Sequence, residues 1–140
     1  MNPSKQEVLA GMNAQRFPFL KMLGCEIVDL DLDHIGCTMH FDVSTDFCHS
    51  GNVIQGGFVT AMLDSVCAHA AFGCIPDIAG LFTLELKVSY LGASTAGKYT
   101  AIGKMEKLTH NFAFMRSDLY NESGERTASL TTTAKIKRKG

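Results

Sequence analysis

Gln55-Gly56-Gly57-Phe58-Val59-Thr60-Ala61-Met62-Leu63-Asp64 opens a stretch that reads as one helix, about 17 residues long and running to Phe72. Thr60, Asp64, Ser65 and His69 are its only clearly polar side chains after the first turn. A helix that is apolar on nearly every side is buried on most of them, so the rest of the chain must wrap it. Two glycines at its start expose bare backbone N–H groups where the helix dipole favours negative charge. Asp64 then sets one carboxylate amid apolar residues, where an acid is paired, desolvated or at work. One element therefore offers a candidate oxyanion site and a candidate general base, and the pairing points to carbonyl chemistry.

The flanking sequence supplies the wrapping. Residues 4–15 read as a short helix with Ser4 as N-cap and Val8, Leu9 and Met12 as its apolar stripe. Phe17-Pro18-Phe19-Leu20 turns the chain toward the body. From Cys25 the period becomes two, with Leu30 and Leu32 against Asp29, Asp31 and Asp33. After a turn at His34-Ile35-Gly36, Cys37, Met39 and Phe41 alternate with Thr38, His40 and Asp42, completing a half-buried hairpin.

Residues 46–55 form a loop, and 73–77, with Pro76, end the long helix. Strands are expected at 80–91, 98–108, 112–120 and 126–137. In the first, Phe82, Leu84, Leu86, Val88 and Tyr90 face one way and Thr83, Glu85, Lys87 and Ser89 the other. In the last, Ala128, Leu130, Thr132, Ala134 and Ile136 point inward. The short connections imply an antiparallel meander.

The fold class is α+β, a curved antiparallel sheet around one long helix. One domain spans 1–140, with a helical N-terminal segment at 1–24 and a basic tail at 137–140. Such a sheet leaves an edge and part of the helix uncovered, so self-association is expected.

Composition narrows the function classes. Thirteen Lys and Arg against fourteen Asp and Glu argue against a nucleic-acid-binding face. Five dispersed cysteines without a CxxC read as reduced, mostly buried thiols. Cys67, His69 and Cys74 match no zinc spacing, and no metal is expected. The N-terminus lacks a signal-peptide pattern, and the best apolar run carries Asp64 and His69, so no membrane partner and a cytoplasmic location are expected.

Gln55-Gly56-Gly57, Asp64, and the segment Thr83-Leu-Glu-Leu-Lys-Val-Ser-Tyr-Leu together resemble the hotdog-fold acyl-CoA thioesterases of the phenylacetate-pathway type. The likeness covers about residues 17–136. The family's pattern is His-Gly-Gly with an acid nine residues after the His. Here Gln55 stands at the His, and His49 stands where the family has Asn or Gln. The resemblance implies hydrolysis of acyl-CoA thioesters by a homodimer or homotetramer. No cofactor is implied, because coenzyme A is part of the substrate.

In this reading Asp64 is the base, or a nucleophile through an anhydride. The Gly56 N–H, helped by Gln55, polarises the carbonyl, Thr83 holds the water, and His49 contacts the substrate from its loop. Asn52 and Gly57 flank the helix start as substrate-binding positions, and Phe58, Val59 and Met62 line an acyl pocket. The resemblance carries the coenzyme A arm to Tyr90, Leu91 and Gly92 and to Lys107, His110 and Asn111. Each residue also has a structural reading: Gly-Gly allows tight helix packing, Asp64 is a hydrogen-bonded core acid, and Thr83 is a solvent-facing strand residue.

Eight residues separate Gly56 from Asp64, about 12 Å along a helix. One chain's Asp64 cannot reach a carbonyl held at its own Gly56. The spacing predicts a two-fold dimer with shared sites, each joining Gly56 of one copy to Asp64 of the other. Two other readings stand beside hydrolysis: a non-catalytic acyl-CoA-binding protein, and a hydratase, whose Asp-His pair Gln55 would break.

Overall fold

The structure is a computed structural model describing residues 3–140, so the first two residues of the 1–24 segment lie outside it. In chain order the elements are α1 (Lys5–Ala14), α2 (Pro18–Met22), β1 (Glu26–Asp31), β2 (Gly36–Val43), β3 (Cys48–His49), β4 (Val53–Ile54), α3 (Gly56–Cys74), β5 (Ile78–Tyr90), β6 (Gly97–Leu108), β7 (Phe112–Asn121) and β8 (Arg126–Arg138). Six strands form one antiparallel sheet in the order β1-β2-β6-β7-β8-β5, and β3 pairs with β4 apart from it. The sheet curves around α3, the hotdog arrangement that the sequence led us to expect.

Alternation builds the inner face. Ala128, Leu130, Thr132, Ala134 and Ile136 of β8 are all buried, with Ala101 of β6 and Met115 and Leu119 of β7 beside them. Against them α3 buries Val59, Met62, Leu63, Val66, Cys67, Ala70 and Ala71. The helix backbone comes close to β6 at Gly103, where a Cβ would lie 3.1 Å from the Val66 side chain and 3.2 Å from the Cys67 amide nitrogen. Glycine is what lets helix and sheet touch there. By length and composition α3 would pass for a membrane span, yet its apolar residues are the core of this sheet. A stripe through Gly57, Thr60, Ala61, Asp64, Ala68 and Phe72 is left partly exposed.

Several expectations change in detail. The meander is β6–β7–β8 only; β5 crosses to the far side of β8 and forms the sheet's edge. Helix α3 runs two residues past Phe72. Strand β8 continues to Arg138, whose guanidinium bonds Asp77 at 2.6 Å, so residues 137 and 138 belong to the sheet and not to a tail. Phe17, the N-cap of the five-residue α2, is 64 % exposed, and Leu20 is the residue of that segment that enters the core.

The β5 alternation breaks at a bulge. Thr83 pairs with Ala134 and Glu85 with Thr133, so Leu84 is the extra residue. From Leu86 to Tyr90 the even positions face α3, as expected. Before the bulge the phase reverses: Leu81 and Thr83 face the helix and Phe82 faces away. The Thr132 hydroxyl steadies the bulge by donating to the Glu85 carbonyl at 2.9 Å.

Candidate active site

Two groups of residues form on α3, one at its start and one near its middle. At the start Gln55 is the N-cap, its side-chain Oε1 accepting from the Gly57 N–H at 2.8 Å. Phe58 donates its N–H to the Gln55 carbonyl at 2.9 Å. The Gly56 N–H has no acceptor among the described residues. With Oε1 committed to the cap, the Gln55 amide nitrogen is left to serve as a donor. The helix start thus presents two donors, Gly56 N and Gln55 Nε2, at the positive end of a 19-residue dipole.

The surrounding loops are tied down. Gln55 N donates to the Phe47 carbonyl at 2.9 Å and Ile54 N to the Ser94 carbonyl at 2.7 Å. The rings of Phe47 and Phe58 meet edge to face at 4.9 Å. Leu91 and Gly92 both donate to the Thr127 carbonyl, and the Asn52 carbonyl accepts from Ala96. Beside the helix start lies a cleft of about 240 Å³ lined by His49, Gly56, Val59, Tyr90 and Gly92 among others. Tyr90 crosses its floor, its hydroxyl donating to the Gly56 carbonyl at 2.8 Å.

The second group is Asp64 and Thr83. Asp64 is half-buried on the partly exposed stripe, and the Thr83 hydroxyl donates to its Oδ1 at 3.2 Å. Burial raises the Asp64 pKa above the ordinary carboxylate range, and the Thr83 bond offsets part of that. Among the described residues no cation reaches it. His69 accepts no such role: its Nδ1 lies 2.7 Å from the Ser65 carbonyl, and burial lowers its pKa, as befits a neutral core histidine. Burial pushes the Cys67 thiol up to about 12, which makes it inert.

The fold therefore gathers Gln55, Gly56, Gly57, Tyr90, Gly92 and His49 at one place and Asp64 with Thr83 at another. It leaves about two turns of helix between Gly56 and Asp64, since eight residues rise roughly 12 Å. Lys107, His110 and Asn111 sit at neither: they lie at the β6–β7 turn, where His110 and Asn111 border a separate cleft of about 520 Å³ with Phe82, Lys135 and Lys137. The acyl pocket expected from Phe58, Val59 and Met62 is not formed as such. Met62 is 0 % exposed, sealed beneath the sheet, whereas Phe58 is at the surface and Val59 touches the cleft from below. A depression of about 790 Å³ among β1, β2 and β6 has no α3 residue in its wall.

Thr60 escaped the sequence reading as a site residue. Its Oγ1 lies 3.0 Å from the Gly56 carbonyl and 2.8 Å from the Tyr90 hydroxyl. The available signal was a Thr one turn after the glycines, which faces the same side of the helix as Gly56.

Comparison with known proteins agrees with this fold. A family model described as the thioesterase superfamily matches residues 51–128, more than half of the chain. A phenylacetic acid degradation-related protein of Ralstonia eutropha superposes with a TM-score of 0.83 at 25% identity, covering 92% of this chain and 99% of that one. The E. coli PaaI protein from the phenylacetic acid degradation operon gives 0.82 at 16% identity, covering 97% and 96%. A thioesterase of Haemophilus influenzae gives 0.81 at 16%, covering 99% and 93%. The last two likenesses speak to the fold alone. An uncharacterized protein of Schizosaccharomyces pombe is 26% identical over 100 residues, which span 71% of this chain but only 57% of that relative's length.

Proposed function

The chain belongs to the thioesterase superfamily, and from that premise we propose that it hydrolyses acyl-CoA thioesters at sites shared between two copies. The observation that carries the reading is Asp64: a half-buried carboxylate on an apolar helix, bonded to one hydroxyl and to no cation. A carboxylate kept in that state is a stronger base than one in water, and keeping it there costs stability.

The chemistry follows from the two groups. Thr83 and Asp64 hold a water, and Asp64 takes its proton as the oxygen attacks the thioester carbonyl. Gly56 N–H and Gln55 Nε2 receive the developing oxyanion. Collapse of that intermediate breaks the C–S bond. A thiol of ordinary pKa, about 8.5, leaves readily as the thiolate, so a strong general acid is not required. Attack by Asp64 itself through an anhydride uses the same donors.

Sharing of sites is supported by the edge and the stripe. Strand β5 has one side unpaired over 13 residues and carries Phe82 at 56 % and Leu84 at 58 % exposure. Next to it runs the partly exposed stripe of α3, with Asp64 in its midst. Two copies meeting with these helices antiparallel, the two-fold axis near Thr60, would bring each Gly56 opposite the other copy's Asp64. The coenzyme A arm is assigned to the cleft at Tyr90, Leu91 and Gly92, with Lys107, His110 and Asn111 as its more distant contacts.

The test is thiol release from a panel of short, long and aromatic acyl-CoAs, with Asp64→Asn in parallel. A fall in kcat of at least about a hundredfold is expected for loss of the base. Turnover unchanged by Asp64→Asn would remove Asp64 from the mechanism. No turnover by the wild type, with acyl-CoAs still raising its melting temperature, would make it a binding protein.

A further inference from the structure

Tyr90 and Thr60 surround one backbone atom. The Gly56 carbonyl oxygen, Tyr90 Oη and Thr60 Oγ1 form a triangle with edges of 2.8, 2.8 and 3.0 Å. With two hydroxyl protons for three contacts, either both hydroxyls donate to the carbonyl, or one donates to the other, which in turn donates to the carbonyl. The Gly56 carbonyl shares its peptide plane with the Gly57 N–H, and that N–H is the donor to Gln55 Oε1. The plane is therefore held at both ends, by the hydroxyl pair on its oxygen and by the Gln55 side chain on its nitrogen.

This peptide needs holding. It lies between two glycines, which rotate more freely than any other residues. Gly56 also has to be glycine for Tyr90 to arrive: a Cβ there would meet the tyrosine Oη at 3.0 Å and Cζ at 3.1 Å. At position 57 a Cβ would meet Gln55 Oε1 at 2.8 Å. The glycines make room for the two groups that immobilise them.

We propose that the Tyr90–Thr60 hydroxyl pair is a positioning device for the donors at the α3 start, which acts by clamping the Gly56–Gly57 peptide and, through it, the Gln55 amide. The chain of contacts runs from Tyr90 and Thr60 to the Gly56 carbonyl, across the peptide to the Gly57 N–H, and on to Gln55 Oε1. Gln55 Nε2 is at its far end, aimed by groups on β5 and α3 that need not touch the reacting carbonyl. Tyr90 thereby has a task beyond contact with a substrate arm. Its hydroxyl is spent on the backbone, and only the ring faces the cleft. The proposal rests on the thioesterase reading for its kinetic consequence and on the hydrogen bonds alone for its structural one.

Tyr90→Phe keeps the ring and removes the hydroxyl; Thr60→Val does the same for Thr60, and Thr60→Ser returns it. Each of the first two should lower kcat about tenfold, the effect of one ordinary hydrogen bond on a rate, with KM little changed. Thr60→Ser should restore it. The double variant should lose little more than either single one, and in a Gln55→Ala background Tyr90→Phe should have almost no further effect. A raised KM at constant kcat in Tyr90→Phe would make the Tyr90 hydroxyl a substrate contact and overturn the proposal, as would full additivity with Gln55→Ala.

The second measurement is independent of turnover. Amide exchange at Gly57 N–H, followed by NMR, should speed up about tenfold in Tyr90→Phe and in Thr60→Val. Unchanged exchange in both overturns the clamp even if the protein proves to hydrolyse thioesters. Faster exchange in a protein without Asp64-dependent turnover would uphold the clamp and refute the hydrolytic reading instead.

Discussion

Gly56→Ala separates packing from chemistry, because the methyl it adds should leave stability nearly unchanged while lowering the rate. The new Cβ would lie 3.0, 3.1 and 3.4 Å from Tyr90 Oη, Cζ and Cε1. The first two distances are too short by a few tenths of an ångström, and Tyr90 is the partner able to yield, since its ring is exposed at the end of β5. Displacing it breaks the bond to the Gly56 carbonyl, which costs about 1 kcal/mol or less, because water reaches the freed hydroxyl. Alanine in place of glycine in a helix returns roughly 0.5–1 kcal/mol. The two nearly cancel, and the melting temperature should move by less than about 4 °C.

The rate has no such compensation. Tilting the Gly56–Gly57 peptide shifts the Gly57 N–H and, through it, the Gln55 side chain, and such misplacement of a donor costs about ten- to a hundredfold. Thermal melts and steady-state thiol release on the same preparations are the assay. Wild-type kcat/KM in Gly56→Ala would refute the reasoning. A collapse in melting temperature in proportion to the rate would reduce Gly56 to a packing residue.

Asp64→Asn should melt higher than the wild type near neutral pH. The raised Asp64 pKa means the folded chain binds that proton more tightly than the unfolded one, so stability falls as pH rises from the ordinary carboxylate range through the folded value. Below that range the two proteins should melt alike, and a variant less stable at neutral pH would show that the carboxylate is a structural acid. Mixing Asp64→Asn with Gly56→Ala through unfolding and refolding should recover about a quarter of wild-type activity, since half the dimers are mixed and each has one intact site; no recovery from two folded parents would argue against shared sites. Alkylation of the native protein at about pH 8 should spare Cys37 and Cys67, whose buried thiols are both pushed up to about 12, as peptide mass mapping would reveal. Rapid labelling of either would contradict their burial.

The outline of the fold was legible because its signals are local. The apolar run after Gly56 and Gly57 marked a core helix, and the period of two from Ala128 to Ile136 marked the inner face of β8, both without knowledge of any partner. Spacing along one helix sufficed to separate Gly56 from Asp64, which both lie on α3. Ser4 as an N-cap needed only its neighbours, and the hydroxyl does accept from the Glu7 N–H at 3.2 Å.

Other features depend on residues far apart in the chain. Thr83 reaches Asp64 because one extra residue, Leu84, reverses the β5 alternation, and a bulge is specified by pairing with β8, not by the pattern of β5 itself. Phe82, grouped on one face with Leu86, Val88 and Tyr90 by simple alternation, faces away from them for the same reason. Strand β5 lies at the edge next to β8, which no run of side chains announces. Tyr90 finds Gly56 from 34 residues away, and an acyl pocket at Met62 is lost once β6 and β7 cover the helix. Local sequence determined the helix, its glycines, its acid and the faces of most strands, because each follows from short-range periodicity and burial. Tertiary structure alone decided which hydroxyls meet Gly56 and Asp64, because hydrogen bonds between distant elements depend on register and close approach, which arise only when the sheet closes around the helix.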